Sequence, residues 1–502
     1  MNLARERGMT AGGSVLFLTV LGTLSQLLGF GYRVALSRMV GAEVMGLYQL
    51  IMPVYSVLLS LTAVGLTAAV SNLTPQYLAL GNSRGIPQLL GTCLKILFLL
   101  MVPISVYWLG DARTQLGLIL LLPCVALTGV ENLHKHFFYG SSLVRPPAVA
   151  ELLEQLVRTG AVLGLLAYFL PQYPERVVGL IVAGMVICEV ASAVTLTVLC
   201  RWRLRRMGLK GPGEPGRVRR RRVFSIALPV GLNALLGNLM GAVNAALVPQ
   251  KLVEGGMEPS QAISELGVVC GMTLPMLALP TVFLSAMSLV LVPRLARSTA
   301  LNRPQAVRDT VSKALSAVSV LALPAMGMMA VLGEELGVLL FRQEAVGEYL
   351  LPLAAATALS CYQAILGASL NGVGRQGTVA WISLVCDGVQ LAFTACLVGV
   401  PSVGMGGFVA GMLVSTALGL VLCAWRLRAF TGLSFRLFHW VTAPGLAALL
   451  SALVTNLLFQ VLRDSGVPVL WRIPGALAFG LVLYIAALSA QGVPLRGLFR
   501  LE

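Results

Sequence analysis

The sequence predicts an all-α polytopic membrane protein: about fourteen transmembrane helices, in two pseudo-symmetric six-helix lobes around a central cavity plus two extra C-terminal helices. Three observations predict it. Hydrophobic residues make up 57% of the 502 residues and charged residues 11%, against about 45–50% and 25% in a soluble domain. A soluble core stops growing long before it could enclose that much apolar surface. Apolar runs of the roughly 20 residues that span a bilayer recur along the chain, and its first half echoes in its second.

The runs fall at about 13–37, 46–71, 88–109, 115–134, 148–170, 177–200, 223–249, 267–293, 309–332, 349–370, 377–399, 404–425, 438–462 and 472–491. No small-residue cleavage site follows Arg5 and Arg7, so the first run reads as a retained helix rather than a signal peptide. The net charge of +16 does not imply a nucleic acid partner, because cytoplasmic loops of membrane proteins collect Lys and Arg. With the N-terminus inside, 26 of the 36 basic residues fall in cytoplasmic segments, Lys135 among them, 7 fall outside and 3 lie within spans. That asymmetry predicts both termini in the cytoplasm of a bacterial cell membrane.

Residues 201–222, RWRLRRMGLKGPGEPGRVRRRR, carry ten of those bases among glycines and prolines. They divide the chain into an N-terminal lobe (1–200, helices 1–6), a basic cytoplasmic linker (201–222), a C-terminal lobe (223–428, helices 7–12) and a final segment (429–502, helices 13 and 14). The linker reads as a solvated loop that sets topology, with anionic membrane lipids as its alternative partner. Across it, the stretch from Gln49 matches that from Met272 at a shift of 222, placing Pro53 on Pro275 and Leu73 on Leu295. Further on, FYGSSLVRPPAVAELLEQ pairs loosely with LNGVGRQGTVAWISLVCDG at a shift of roughly 230. Duplicated halves around a midplane site are a transporter architecture.

Ionisable groups within spans mark the candidate site, since each costs at least about 2.5–3.5 kcal/mol if it faces lipid. Arg33 lies in the first helix beside Gly29 and Gly31. Glu151, Glu154 and Arg158 share one face of the fifth helix at spacings of three and four, with Gln155 between them. Asp387, in the eleventh helix, falls within a turn of the positions the repeat pairs with Glu154 and Arg158. These make Arg33, Glu154, Arg158 and Asp387 the primary substrate-binding candidates, and Glu151, Gln155 and Lys95 the secondary ones. Glu131 and Glu189 sit near span ends and read as interfacial. His134 and His136, two apart, do not share a helical face, which argues against a metal. No phosphate-binding Gly-Lys-Ser/Thr signature occurs, so neither a cofactor nor an enzymatic activity is expected.

GFGYRVALSRMVGAEVMGLYQLIMPVY (29–55) resembles the opening signature of the multidrug/oligosaccharidyl-lipid/polysaccharide (MOP) flippase superfamily. PAVAELLEQLVR (147–158) is similar to the stage V sporulation protein B branch of its polysaccharide exporters. The resemblance implies a flippase that moves an undecaprenyl-pyrophosphate-linked saccharide, such as a peptidoglycan precursor, across the cytoplasmic membrane by alternating access during cell-wall or spore-cortex synthesis. It makes Arg33 and Arg158 pyrophosphate or sugar contacts, with Glu154 and Asp387 shaping the cavity. Better-known lipid II flippases carry arginines and an aspartate in the first helix, where this chain has Gln26, Tyr32 and Arg33. The alternatives are a cation-coupled multidrug antiporter of the same superfamily and a non-transporting scaffold for cell-wall synthases.

Overall fold

A computed structural model describes residues 11–104, 112–141, 143–433 and 438–491. Among these, every regular element is helical. The chain divides into two compact units, one running to Ala246 and the other beginning at Leu247. The termini carrying Arg5, Arg7, Arg496 and Arg500 lie outside the described residues.

The first unit holds α1 (Ala11–Leu59), α2 (Gly65–Ala79), α3 (Gly85–Ile104), α4 (Ala112–Gly140), α5 (Arg145–Phe169), α6 (Val177–Met207) and most of α7 (Gly216–Glu254). The second holds α8 (Pro259–Leu266), α9 (Leu274–Ala278), α10 (Val282–Ala300), α11 (Pro304–Val331), α12 (Gly333–Phe341), α13 (Ala345–Gly372), α14 (Gln376–Leu397), α15 (Met405–Thr431), α16 (Ala443–Asp464) and α17 (Val469–Ala490). Eleven helical stretches among the described residues are long and apolar enough to cross a membrane unaided. That is fewer than the expected fourteen for two reasons. One stretch, Val20–Ala79, holds two spans, joined at Gly41, whose φ of 77° only glycine adopts freely. The apolar runs of α3 and α4 border residues 105–111, outside the description.

The same packing recurs inside each unit. Gly140 at the end of α4 lies against the Ser71 carbonyl and Thr74 of α2, and Gly372 at the end of α13 against the Val292 carbonyl and Leu295 of α10. Gly184 of α6 meets Val162 of α5, and Gly411 of α15 meets Phe393 of α14. Small residues let membrane helices approach where no hydrophobic force drives them together. The two halves therefore share one internal architecture, as the in-register repeat predicts.

Two features depart from the sequence reading. The division falls within α7 rather than at residues 201–222, because the early part of α7 is packed into the first unit. A Cβ on Gly65 would overlap the Ala227 carbonyl, and Asn238 donates 2.5 Å to Ser60 Oγ. Ser60 opens a π-helical turn between α1 and α2. The basic linker is also no free loop. It docks on the turn between α2 and α3, where Asn82 accepts from the Gly213 N–H (3.1 Å) and donates to its carbonyl (3.2 Å). Ser83 bonds the Gly208 carbonyl, and Arg219 reaches Gln88 and Thr92. Gly211, at φ 92°, passes so close to Asn82 that no Cβ fits. Glu214 joins Tyr77 and Arg222. Its partial burial works against ionisation, but these two partners hold its carboxyl below the usual range.

A Cβ at Gly184 would come within 3.0 Å of Val162 backbone atoms, whereas Gly160 of α5 has open space around it. Gly184→Ala is expected to cost about 1–3 kcal/mol by overpacking and to lower the thermal unfolding midpoint in detergent. Gly160→Ala should leave it unchanged or raise it, through the better helix propensity of alanine. Equal midpoints for the two variants would contradict this account of the α5–α6 contact.

Candidate functional site

The first unit buries a cluster of five charged side chains drawn from three neighbouring helices. Two prolines, Pro146 and Pro147, open α5 where their missing N–H groups cost nothing. From that start, Glu154 and Arg158 stack one turn apart, with Arg158 Nη2 2.5 Å from Glu154 Oε1. On α4, Glu131 and Lys135 also stand one turn apart, with 2.5 Å between Lys135 Nζ and Glu131 Oε1. The Lys135 ammonium also lies 3.2 Å from Glu154, tying α4 to α5. The close approach at Gly184 brings α6 to α5, and Arg158 reaches Glu189 at 3.5 Å. The Glu189 and Glu131 carboxyls face each other across α4 and α6.

Around them, α1 supplies Tyr55, which donates to Thr128 of α4 at 2.8 Å, and buried Tyr32, which sits near Arg33 and Arg158. Glu131 and Glu189 are 1% and 2% exposed. They are enclosed by neighbouring helices, and Lys135 is no loop residue: α4 continues to Gly140, carrying all of ENLHKH into the helix. A buried ion left alone is costly, and each of the five groups here is held against a group of opposite charge.

Of the predicted site residues, Glu154 and Arg158 are at the centre of the cluster. Gln155 lies one position along α5, its amide near Gly29 of α1, where a Cβ would sit 3.6 Å from Gln155 Oε1. Arg33 lies a turn further along α1, half-buried. Glu151 is half-buried, one turn before Glu154. Lys95 is exposed on α3 and does not join the cluster. Asp387 belongs to the second unit, half-buried on α14 beside Cys386.

The repeat shows what became of the cluster's counterparts. The 232-residue offset from Gly140 to Gly372 carries Glu131 onto Gln363, and the 227-residue offset from Gly184 to Gly411 carries Ser192 onto Gly419 and Glu189 onto Thr416. The match is geometric as well as numerical. Ser192 lies beside Glu131, and a Cβ on Gly419 would collide with the Gln363 amide. The 231-residue offset from Val162 to Phe393 puts Val385 and Val389 where α5 has Glu154 and Arg158. Asp387 falls instead on Leu156, which is 52% exposed. The first unit is therefore the charged member of a duplicated pair.

A family model described as polysaccharide biosynthesis protein matches residues 12–299. The chain belongs to the polysaccharide biosynthesis protein family. Among curated relatives it is 25% identical to stage V sporulation protein B of Bacillus subtilis (strain 168) over 422 residues, 80% of this chain and 81% of that protein. It is 20% identical to sporulation protein YkvU of the same organism over 334 residues, 63% and 72% of the two chains. Its fold is similar to that of the lipid II flippase MurJ in an inward closed conformation, with a TM-score of 0.67 at 10% identity, covering 97% of this chain and 100% of that one. It also resembles an inward-facing multidrug resistance MATE family transporter, with a TM-score of 0.62 at 14% identity, covering 82% and 96%. This polysaccharide biosynthesis protein therefore shares its fold with these transporters, and its long apolar helices make it a multi-pass membrane protein.

Removing one member of a buried ion pair leaves an uncompensated charge and costs about 3–5 kcal/mol. Lys135→Met, which strands both Glu131 and Glu154, should accordingly lower the unfolding midpoint markedly. Adding Glu131→Gln should recover a large part of the loss, because the double variant returns to the wild type's excess of one carboxyl group over cations. A double variant as unstable as the sum of the two singles would show that the pairing is not energetically coupled.

Proposed function

We propose that this protein is a flippase that carries an undecaprenyl-pyrophosphate-linked saccharide across the bacterial cytoplasmic membrane by alternating access. Both termini are cytoplasmic in this reading, and the saccharide serves the cell wall or the spore cortex. The observation that carries it is Arg158. It is the guanidinium of a membrane-embedded cluster, its side chain 21% exposed, and its Nε is a buried donor without a hydrogen-bond partner. A planar guanidinium with a spare donor suits a phosphate oxygen, which it engages bidentately. Arg33, a turn beyond the Gly29–Gln155 contact, supplies a second cation for the pyrophosphate. Glu154 keeps Arg158 oriented and Gln155 adds hydrogen-bonding capacity for the sugar, while Asp387 lines the path from the second lobe. The relatives agree in kind: both curated relatives are named for sporulation, and one structural neighbour is a lipid II flippase.

The cation-coupled multidrug antiporter is the competing reading, and one observation favours it. Glu131, Glu154 and Glu189 outnumber Lys135 and Arg158, and an excess of buried carboxylate suits a cationic cargo better than an anionic one. The two readings separate on binding. Native mass spectrometry of the purified protein, offered lipid II, undecaprenyl pyrophosphate and a cationic dye, should show selective retention of the pyrophosphate lipids. Arg158→Ala and Arg33→Ala should lose that retention by tenfold or more, about the worth of one charge-assisted contact, while still inserting into membranes. Retention of the dye alone, unchanged in both variants, would establish the antiporter instead.

A further inference from the structure

The charge count of the cluster does not close. Three carboxyl groups face two cations, so full ionisation would leave a net negative charge among α4, α5 and α6 in the low-dielectric interior of a membrane protein. The geometry says where the balance is restored. Glu131 lies carboxyl to carboxyl against both Glu154 and Glu189; Lys135 bridges the first contact, and in the second two acceptors meet, which requires a proton between them. Glu189 Oε2 is fully buried and has no protein donor, as expected of an oxygen whose partner is another carboxyl.

Among the described residues, Lys135 and Arg158 form the cluster's ion pairs with these carboxyls, and His136, next to Lys135 on α4, stands edge-on to Tyr139. From α1 come Tyr32, Tyr48 and Tyr55, from α4 Cys124, and from α6 Cys188. Phenols and thiols are uncharged at neutral pH. Arg33 is half-buried on α1, nearest Tyr32 among these groups. Glu151 on α5 lies near Tyr139. From α2 and α3, which also pack on α4, Tyr77 is bonded to Glu214 and Lys95 is exposed. Glu175 and Arg176 are exposed at the start of α6.

We propose that the α4–α5–α6 cluster is a proton-binding site: one proton resides between the Glu131 and Glu189 carboxyls, and a second is taken up when an anionic ligand claims Arg158. The second step follows from the same count. With Arg158 turned to a phosphate, Lys135 and the resident proton face three carboxyl groups, and a further proton on Glu154 or Glu189 restores neutrality. Ligand binding and protonation then favour each other. The resident proton is independent of the ligand's identity; the uptake step rests on the reading of Arg158 as a phosphate contact.

Infrared spectroscopy of the full-length protein in lipid nanodiscs reads both steps separately through the carbonyl stretch of protonated carboxyl groups. Without ligand at neutral pH, the wild type should show such a band. It should vanish in Glu131→Gln and in Glu189→Gln, since either leaves two carboxylates against two cations, and persist in Asp387→Asn. Its absence from the wild type, or survival in either glutamine variant, would overturn the resident proton. On addition of undecaprenyl pyrophosphate, the cluster's band should grow about twofold, one protonated carboxyl becoming two. Binding without growth would overturn the uptake step, and an absence of binding would strike the flippase reading while leaving the resident proton as measured.

Discussion

A charge inside a membrane has to be balanced within a few ångströms, and the centre of the first unit is organised by that requirement. Lys135 and Arg158 each contact two carboxyl groups, so α4, α5 and α6 are linked in both directions. The apolar framework makes the linkage possible. Gly184 lets α6 close on α5, Gly140 seats α4 on α2, and Tyr55 pins α1 to α4 through Thr128. A cluster of this kind adds little net stability, because desolvation consumes most of the Coulombic gain. Its value is that any partner lost by one member must be replaced, so a change at Arg158 reaches Glu131, on another helix, through Glu154 and Lys135.

Duplication gave the chain two copies of one helical arrangement, and only one copy kept the charges. Where the first unit has Glu131, Ser192 and Glu189, the second has Gln363, Gly419 and Thr416, with Gln363 filling the space above Gly419. Neutral polar groups are buried there at less desolvation cost than ions would be. The division of labour follows: the first unit carries the responsive charge network, and its partner supplies the same scaffold without it. The docked linker adds to this asymmetry, since its hydrogen bonds go to the α2–α3 turn of the first unit.

Much of this was legible in the sequence. Composition and span length give the helical membrane fold, and the Pro53–Pro275 register gives the duplication, because both follow from local patterns. Glu154 and Arg158 were visible through their four-residue spacing. Glu131, Lys135 and Glu189 were not, although Glu131 and Lys135 share that same spacing. The polar run ENLHKH looks like a helix end, and hydropathy ends a span where its average falls, whereas Glu131, His134 and Lys135 of this run find partners inside the bundle and α4 continues. For Asp387 the alignment gives proximity within a turn but not the helical face: its counterpart is Leu156, 52% exposed, rather than Glu154 or Arg158. The linker's docking rests on backbone contacts around Asn82 and Gly213, which leave no hydrophobic pattern to read.

The central claim is that this polysaccharide biosynthesis protein moves a pyrophosphate-linked lipid and that Arg158 handles its charge. The most direct measurement is translocation in sealed proteoliposomes, following a fluorescent undecaprenyl-pyrophosphate saccharide as it becomes accessible to an impermeant quencher. The account predicts protein-dependent flipping by the wild type and none by Arg158→Ala at equal reconstitution. Translocation at the wild-type rate by that variant, or no flipping of the lipid by the intact protein, would contradict it.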